Sequence, residues 1–232
     1  MGEFIRNKFY FVSNINTGCL TIIDAFCNTI LKEIRVGQRP FKLALVDDTT
    51  IAISCEKSNT ISFFNCVSGK VKEFNISNNG NLQIDKVNKK IYISDTYEIT
   101  IYDMNLEALI GCIKGFSAIV ALKLNRIGSK LYVLDTLQKE LRIYSTDTYN
   151  LICSFKNIGV NSTDLLISKD EITAYISNKN KILKININSK IYSNIILPKG
   201  SIIMGMVLKD NTLYTSNFGL NRIRSEEHTS EL

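Results

Sequence analysis

Two carboxylates, Asp95 and Asp135, and one guanidinium, Arg39, are the side chains whose type and placement could serve chemistry in this sequence. Each carboxylate closes a short apolar phrase, IYISD at 91–95 and LYVLD at 131–135. Asn14, Cys55, Asn178 and Asn217 close four further phrases of the same kind. If those phrase ends gather on one face, Asn14, Asp95, Asp135, Asn178 and Asn217 form a polar ring beside Arg39. Such a ring suits a small polar ligand, a cation or a peptide. The structural reading is that each Asp or Asn opens the next hairpin by bonding the backbone two residues on, and the sequence favours it.

Catalytic chemistry has little else to draw on. The single histidine, His228, lies four residues before the end, and there is no Trp, so tryptophan-dependent cofactor-docking repeats and sialidase-type Asp boxes are absent. Glycine-rich phosphate loops do not occur. Cysteines at 19, 27, 55, 66, 112 and 153 form no CxxC and no metal-ligand spacing, and read as reduced packing residues. No catalytic residue, metal ligand set or cofactor site is expected from these residues.

The elements that must position the phrase ends are strands. YFVSN, IAISC, IYISD, LYVLD, AYISN and LYTSN begin at 10, 51, 91, 131, 174 and 213, at intervals of 41, 40, 40, 43 and 39 residues. Three more apolar runs recur within each period. One ends at Asp24, Asn65, Asp103, Ser145 and Asn186; another covers 32–36, 72–76, 111–115, 153–157 and 193–197. The last spans 41–46, 81–87, 119–124, 163–168 and 203–208. All are short, rich in Ile, Val, Leu, Tyr and Phe, and bounded by turn formers. Four strands per unit of about 40 residues predicts an all-β chain, a β-propeller of four-stranded antiparallel blades. The last run of one period is the inner strand of the next blade, and the phrase is its second strand.

The repeat resembles the YVTN family of β-propeller repeats, similar to YncE-type proteins. Its hallmark, a Tyr-Val-Thr/Ser-Asn strand followed by Ile-x-Val-Ile-Asp, is matched well at 11–14, 175–178 and 214–217 and more weakly at 52–55 and 132–135. The family's Pro after Val-Gly occurs once, in VGQRP at 36–40. The resemblance covers residues 9 to about 223 and implies a binding or scaffold propeller, without specifying a mechanism.

Residues 224–232, RSEEHTSEL, show no alternation and match nothing upstream. They read as the in-frame translation of a common sequencing adapter, the alternative being an authentic polar C-terminal tail. The expected organisation is therefore a partial propeller over 1–223 followed by a non-native tail. On that reading His228 drops out. Removing one Arg and three Glu from 28 basic and 22 acidic residues gives a net charge of +8 instead of +6. The ring is then incomplete, with about five to six blades present, the last cut after two strands, and at least about 25 residues absent.

One uninterrupted array argues for one domain. No apolar run reaches the length of a membrane span, and no signal-peptide layout precedes the first strand, so the expected location is the cytoplasm. Lys86, Lys89, Lys90, Lys123, Arg126, Lys130, Lys169 and Lys209 fall in or near the turns after the inner strands and offer a basic face for nucleic acid. Asp47, Asp48, Asp85, Asp170, Glu171 and Asp210 share those turns and dilute it. The abundance of Ile, Asn and Lys is also what an AT-rich bacterial genome encodes. The function expected is therefore a non-catalytic propeller that binds an unidentified protein or a small polar ligand. The alternative is a lactonase-like or other hydrolytic propeller with part of its site beyond these residues.

Overall fold

A computed structural model describes residues 8–77, 80–159, 161–209, 212–220 and 222–227. Asp210, Asn211 and the tail from His228 lie outside the described residues. The first sheet runs β1 (Phe9–Asn14), β2 (Cys19–Asp24) and β3 (Ile30–Arg35). The second holds β4 (Pro40–Leu45), β5 (Thr50–Cys55), β6 (Thr60–Asn65) and β7 (Val71–Asn75), and the third β8 (Asn81–Asp85), β9 (Lys90–Ser94), β10 (Glu98–Asp103) and β11 (Leu109–Lys114). The fourth holds β12 (Ile119–Leu124), β13 (Lys130–Asp135), β14 (Glu140–Ser145) and β15 (Leu151–Lys156). The fifth holds β16 (Leu165–Ile167), β17 (Thr173–Asn178), β18 (Lys181–Asn186) and β19 (Tyr192–Ile196). The sixth runs β20 (Ile203–Lys209), β21 (Thr212–Asn217) and β22 (Arg222–Glu227).

All pairings are antiparallel between neighbours in sequence, and the only helical element among the described residues is a 3-10 turn at Phe218–Leu220. No described helix is long and apolar enough to cross a membrane. The chain divides into two compact units, up to Gly115 and from Phe116, each with three sheets. The boundary falls between two repeats.

Burial follows from stacking. In β5 and β17, each in the middle sheet of its unit, nearly every residue is buried, on both faces, because a sheet lies against each side; β13 is buried as thoroughly. A strand covered on both faces must be apolar throughout, which explains phrases such as KLYVLD. The outermost strands β3, β7, β11, β15 and β19 are largely exposed, and all but β19 carry charges. In β1 and β21 burial alternates, because one face is covered and the other is not.

The hairpins between the third and outer strands are closed by the residues expected for them. Asp24, Asn65 and Asn186 each accept two backbone N–H bonds, from Phe26 and Cys27, Val67 and Ser68, and Asn188 and Ser189. The fourth residue after the cap donates back to the cap's carbonyl, and Asn28, Gly69, Tyr149 and Lys190 do so with φ of 56°, 70°, 59° and 60°. Only Gly69 adopts that left-handed backbone without a steric cost.

One difference from the sequence reading is structural. The sixth sheet was expected to stop at its two inner strands, yet 222–227 forms β22, with Ser225, Glu226 and Glu227 opposite Tyr214, Leu213 and Thr212. The edge of β21 presents unpaired N–H and C=O groups, and any extended segment satisfies them whatever its side chains.

Candidate functional site

The phrase-ending residues divide into two kinds according to where their polar atoms go. In the unit up to Gly115, Asn14 Oδ1 accepts from the backbone N–H of Asn16 at 3.2 Å and of Thr17 at 3.4 Å. Asp95 Oδ1 accepts from Tyr97 at 2.6 Å and Glu98 at 2.8 Å. Both shape their own hairpins, and both keep some exposure. Cys55 is buried, and burial pushes its thiol pKa up, away from the reactive thiolate.

In the unit from Phe116 the equivalent residues are buried and reach across to the loop that enters their own sheet. Asp135 is 0% exposed. It accepts from Ser117 N at 2.7 Å, Ala118 N at 3.1 Å and Gln138 N at 3.0 Å. Asn178 donates to Ile158 O at 3.2 Å. Asn217 accepts from Ile202 N at 3.0 Å and donates to Ser201 Oγ at 2.8 Å. A buried carboxylate surrounded by three N–H donors is held by charge-assisted bonds, and its lone pairs are largely committed to the backbone.

Arg39 has different surroundings. An open cleft of about 610 Å³ is lined by Ile15, Asn16, Thr17, Gly18, Arg35, Gln38, Arg39 and Lys57. Three of these are cations and none is a carboxylate. The Asn16 and Thr17 amides are the ones Asn14 orients, so Asn14 and Arg39 belong to one site, whereas Asp95 does not line it. Among the described residues, Arg39 pairs with Glu56, whose Oε2 lies 3.2 Å from Arg39 Nε beside the cleft.

The walls are tied by backbone bonds. Glu56 N donates to Arg39 O at 3.0 Å, Lys57 N to Gln38 O at 3.2 Å, and Val36 N to Gly18 O at 3.0 Å. Between them sits Gly37, where a Cβ would collide with the Thr60, Ser58 and Cys55 side chains. Arg39 itself is held at φ 57°, a left-handed conformation that costs a non-glycine residue about 1 kcal/mol. Its guanidinium therefore sits on a fixed, strained backbone.

Arg35 and Lys57 were not singled out by sequence. Arg35 ends an outer strand and Lys57 lies in a turn, and only the two loops meeting at Gly37 bring them beside Arg39. The phrase serines were also passed over. Ser54 Oγ accepts from Lys42 N at 3.1 Å and donates to Gly80 O at 2.9 Å, linking the second sheet to the strand that opens the third. Ser13 Oγ donates to Phe41 O at 3.4 Å, from the first sheet to the second. Their recurrence at one place in the phrase was the available signal.

At the turns following the inner strands, the acids cap backbone in the way turn formers do. Asp47 accepts from Thr49 and Thr50, Asp85 from Val87 and Asn88, and Asp170 from Ile172. Lys130 Nζ lies 3.3 Å from Glu171 Oε2. Acid and base are interleaved there, whereas the Arg39 cleft is lined by three cations and no carboxylate, with Glu56 beside it.

No family model matches the chain, and no curated protein matches it. Among solved structures, the chain is similar to hydrazine synthase of Kuenenia stuttgartiensis, with a TM-score of 0.84 and 14% sequence identity over 95% of this chain and 74% of that one. At that identity the likeness concerns fold alone. Together with the repeated antiparallel sheets it makes this a β-propeller-like fold.

Proposed function

We propose that the protein is a non-catalytic β-propeller of YVTN-type repeats that binds a carboxylate- or phosphate-bearing group, on a small ligand or an acidic peptide, in the cleft around Arg39. The observation that carries this reading is the convergence of Arg35, Arg39 and Lys57 on one cleft with no carboxylate in its lining. Three cations on tied loops raise the local concentration of anions and orient them. The cleft does not favour a cation, the other small ligand that the polar ring had suggested.

The two carboxylates that a hydrolytic reading would use accept backbone N–H bonds instead, and Asp135 is fully buried. Binding without turnover accounts for both facts.

Isothermal titration of inorganic phosphate and of a short polyglutamate peptide tests the proposal. The expected result is saturable binding of at least one probe that weakens as salt rises. Lys57→Ala and Arg35→Ala should each weaken it about tenfold, the loss of one charge-assisted bond. No saturable binding, or binding unchanged in the double variant, would overturn it.

A further inference from the structure

An outer strand presents a row of backbone groups to solvent, and natural edges are guarded by charges or bulges that prevent further pairing. Among the outer strands, β3 carries Lys32, Glu33 and Arg35, β7 carries Lys72 and Glu73, β11 ends on Lys114 and β15 on Lys156. Three of these four are bulged as well, because the registers of β3, β11 and β15 on their neighbours each shift within the strand. β19 has neither guard. Its residues, Tyr192 to Ile196, include no charge, and it runs against β18 without a register shift. It closes the fifth sheet, which has all four of its strands and is both preceded and followed by another sheet in the chain.

The backbone shows which residues of β19 turn outward. At its two ends, Ile191 O accepts from Asn186 N at 2.9 Å and Leu197 N donates to Asn180 O at 2.8 Å, both toward β18. In an antiparallel ladder the N–H and C=O of one residue point to the same side, and the side alternates along the strand. Ile191, Ser193, Ile195 and Leu197 therefore face β18, and Tyr192, Asn194 and Ile196 turn their N–H and C=O to the open edge. The side chains of those three share one face of the sheet. All three are exposed, Tyr192 at 41% and Ile196 at 68%.

We propose that the β19 edge pairs with the β19 edge of a second copy of this chain, antiparallel and about a two-fold axis at Asn194. The occupant follows from the symmetry of the strand. With the axis there, Tyr192 lies opposite Ile196 of the other copy, Asn194 opposite its own counterpart, and Ile196 opposite Tyr192. These are the residues whose backbone groups turn outward, so each pair exchanges both of its backbone bonds, and side chains meet apolar on apolar and amide on amide. The same symmetry acts against the strands guarded by charge pairs. Centred on Glu33 or Glu73 it sets carboxylate against carboxylate, and centred on Lys32 or Lys72 it sets ammonium against ammonium. Complementarity of charge thus selects β19 for pairing with itself. The contact is isologous and closes at the dimer. It is independent of the Arg39 cleft.

Sedimentation velocity on the full chain over a wide concentration range tests the proposal. Wild type is expected to pass from monomer to dimer. Asn194→Asp and Asn194→Lys each set like charges across the axis and should dimerise about fivefold more weakly. Mixed one to one, they should form a heterodimer tighter than either homodimer, because opposite charges then meet at the axis.

Hydrogen exchange gives a second readout that needs no variant. The amides of Tyr192, Asn194 and Ile196 should exchange more slowly as wild type is concentrated. Wild type that stays monomeric throughout overturns the proposal and assigns the edge to another partner. It is equally overturned by variants that associate as wild type does, by a mixture no tighter than its components, or by edge amides whose exchange ignores concentration.

Discussion

Asp135 and Arg39 share a neighbourhood in the repeat and differ in what their charges face. Asp135 is buried among three backbone donors, and Arg39 stands at a cleft with two other cations. Tyr132 is a third case: its hydroxyl is buried with no hydrogen-bond partner among the described residues, and burial pushes the phenol up to about 12. An unfolded tyrosine titrates near 10. The stability from keeping this phenol neutral is therefore complete below pH 10 and lost as pH rises from about 10 through 12. Tyr132→Phe should be at least as stable as wild type at neutral pH, by up to about 1 kcal/mol, because an unsatisfied polar group is removed and the ring kept. It should also lose less stability between pH 10 and 12. Urea unfolding at pH 7 and pH 11 measures both, and a variant more than about 1 kcal/mol weaker at pH 7 would mean the hydroxyl has a partner.

Strands were legible wherever side chains carry the signal. The phrase 131–135 became Lys130–Asp135 and the run ending at Asn186 became Lys181–Asn186, because alternation and a capping Asx residue fix a strand and its end. Outer strands begin earlier than their apolar runs suggest, β3 at Ile30 and β15 at Leu151. A register shift between Ile22 and Ile23, and another between Ile143 and Tyr144, accommodates those extra residues. A bulge of this kind depends on backbone pairing and leaves little trace in composition. β22 was illegible for the same reason.

The hairpins carry a testable cost. Lys190 sits at φ 60° in the place Gly69 holds in its own hairpin. Lys190→Gly relieves about 1–2 kcal/mol of left-handed strain and adds unfolded-state entropy worth somewhat less. The expected outcome is a gain of about 0.5–1 kcal/mol in thermal unfolding. A loss would show that the lysine side chain contributes contacts that outweigh its backbone.

Across the whole chain, the 40-residue period conveyed the class of fold, and the fold similarity to a solved chain at 14% identity agrees with it. The site was only half legible. Arg39 was named from sequence and lines the cleft, and Asn14 was named and bonds the amides of Asn16 and Thr17, which line it, but Arg35 and Lys57 reach it through loop geometry centred on Gly37. Asp95 was legible as a turn former, because an Asx residue at a strand end bonds nearby backbone. The bonds of Asp135, Asn178 and Asn217 to the loop that enters their own sheet span 18, 20 and 15 residues, which local turn chemistry does not foretell.

The central claim is that Arg39 serves binding while the strand-ending acids serve the fold. It is tested most directly by measuring phosphate or polyglutamate affinity and thermal unfolding together on Arg39→Ala, Asp95→Ala and Asp135→Ala. Arg39→Ala should weaken binding about tenfold with its Tm nearly unchanged, since an exposed ion pair such as that with Glu56 is worth at most about 1 kcal/mol. Asp95→Ala should lower stability by about 1 kcal/mol and Asp135→Ala by about 3 kcal/mol, as buried N–H groups lose their acceptor, with affinity preserved in the folded fraction. Unchanged binding in Arg39→Ala, together with lost binding and an unmoved Tm in Asp135→Ala, would contradict the account.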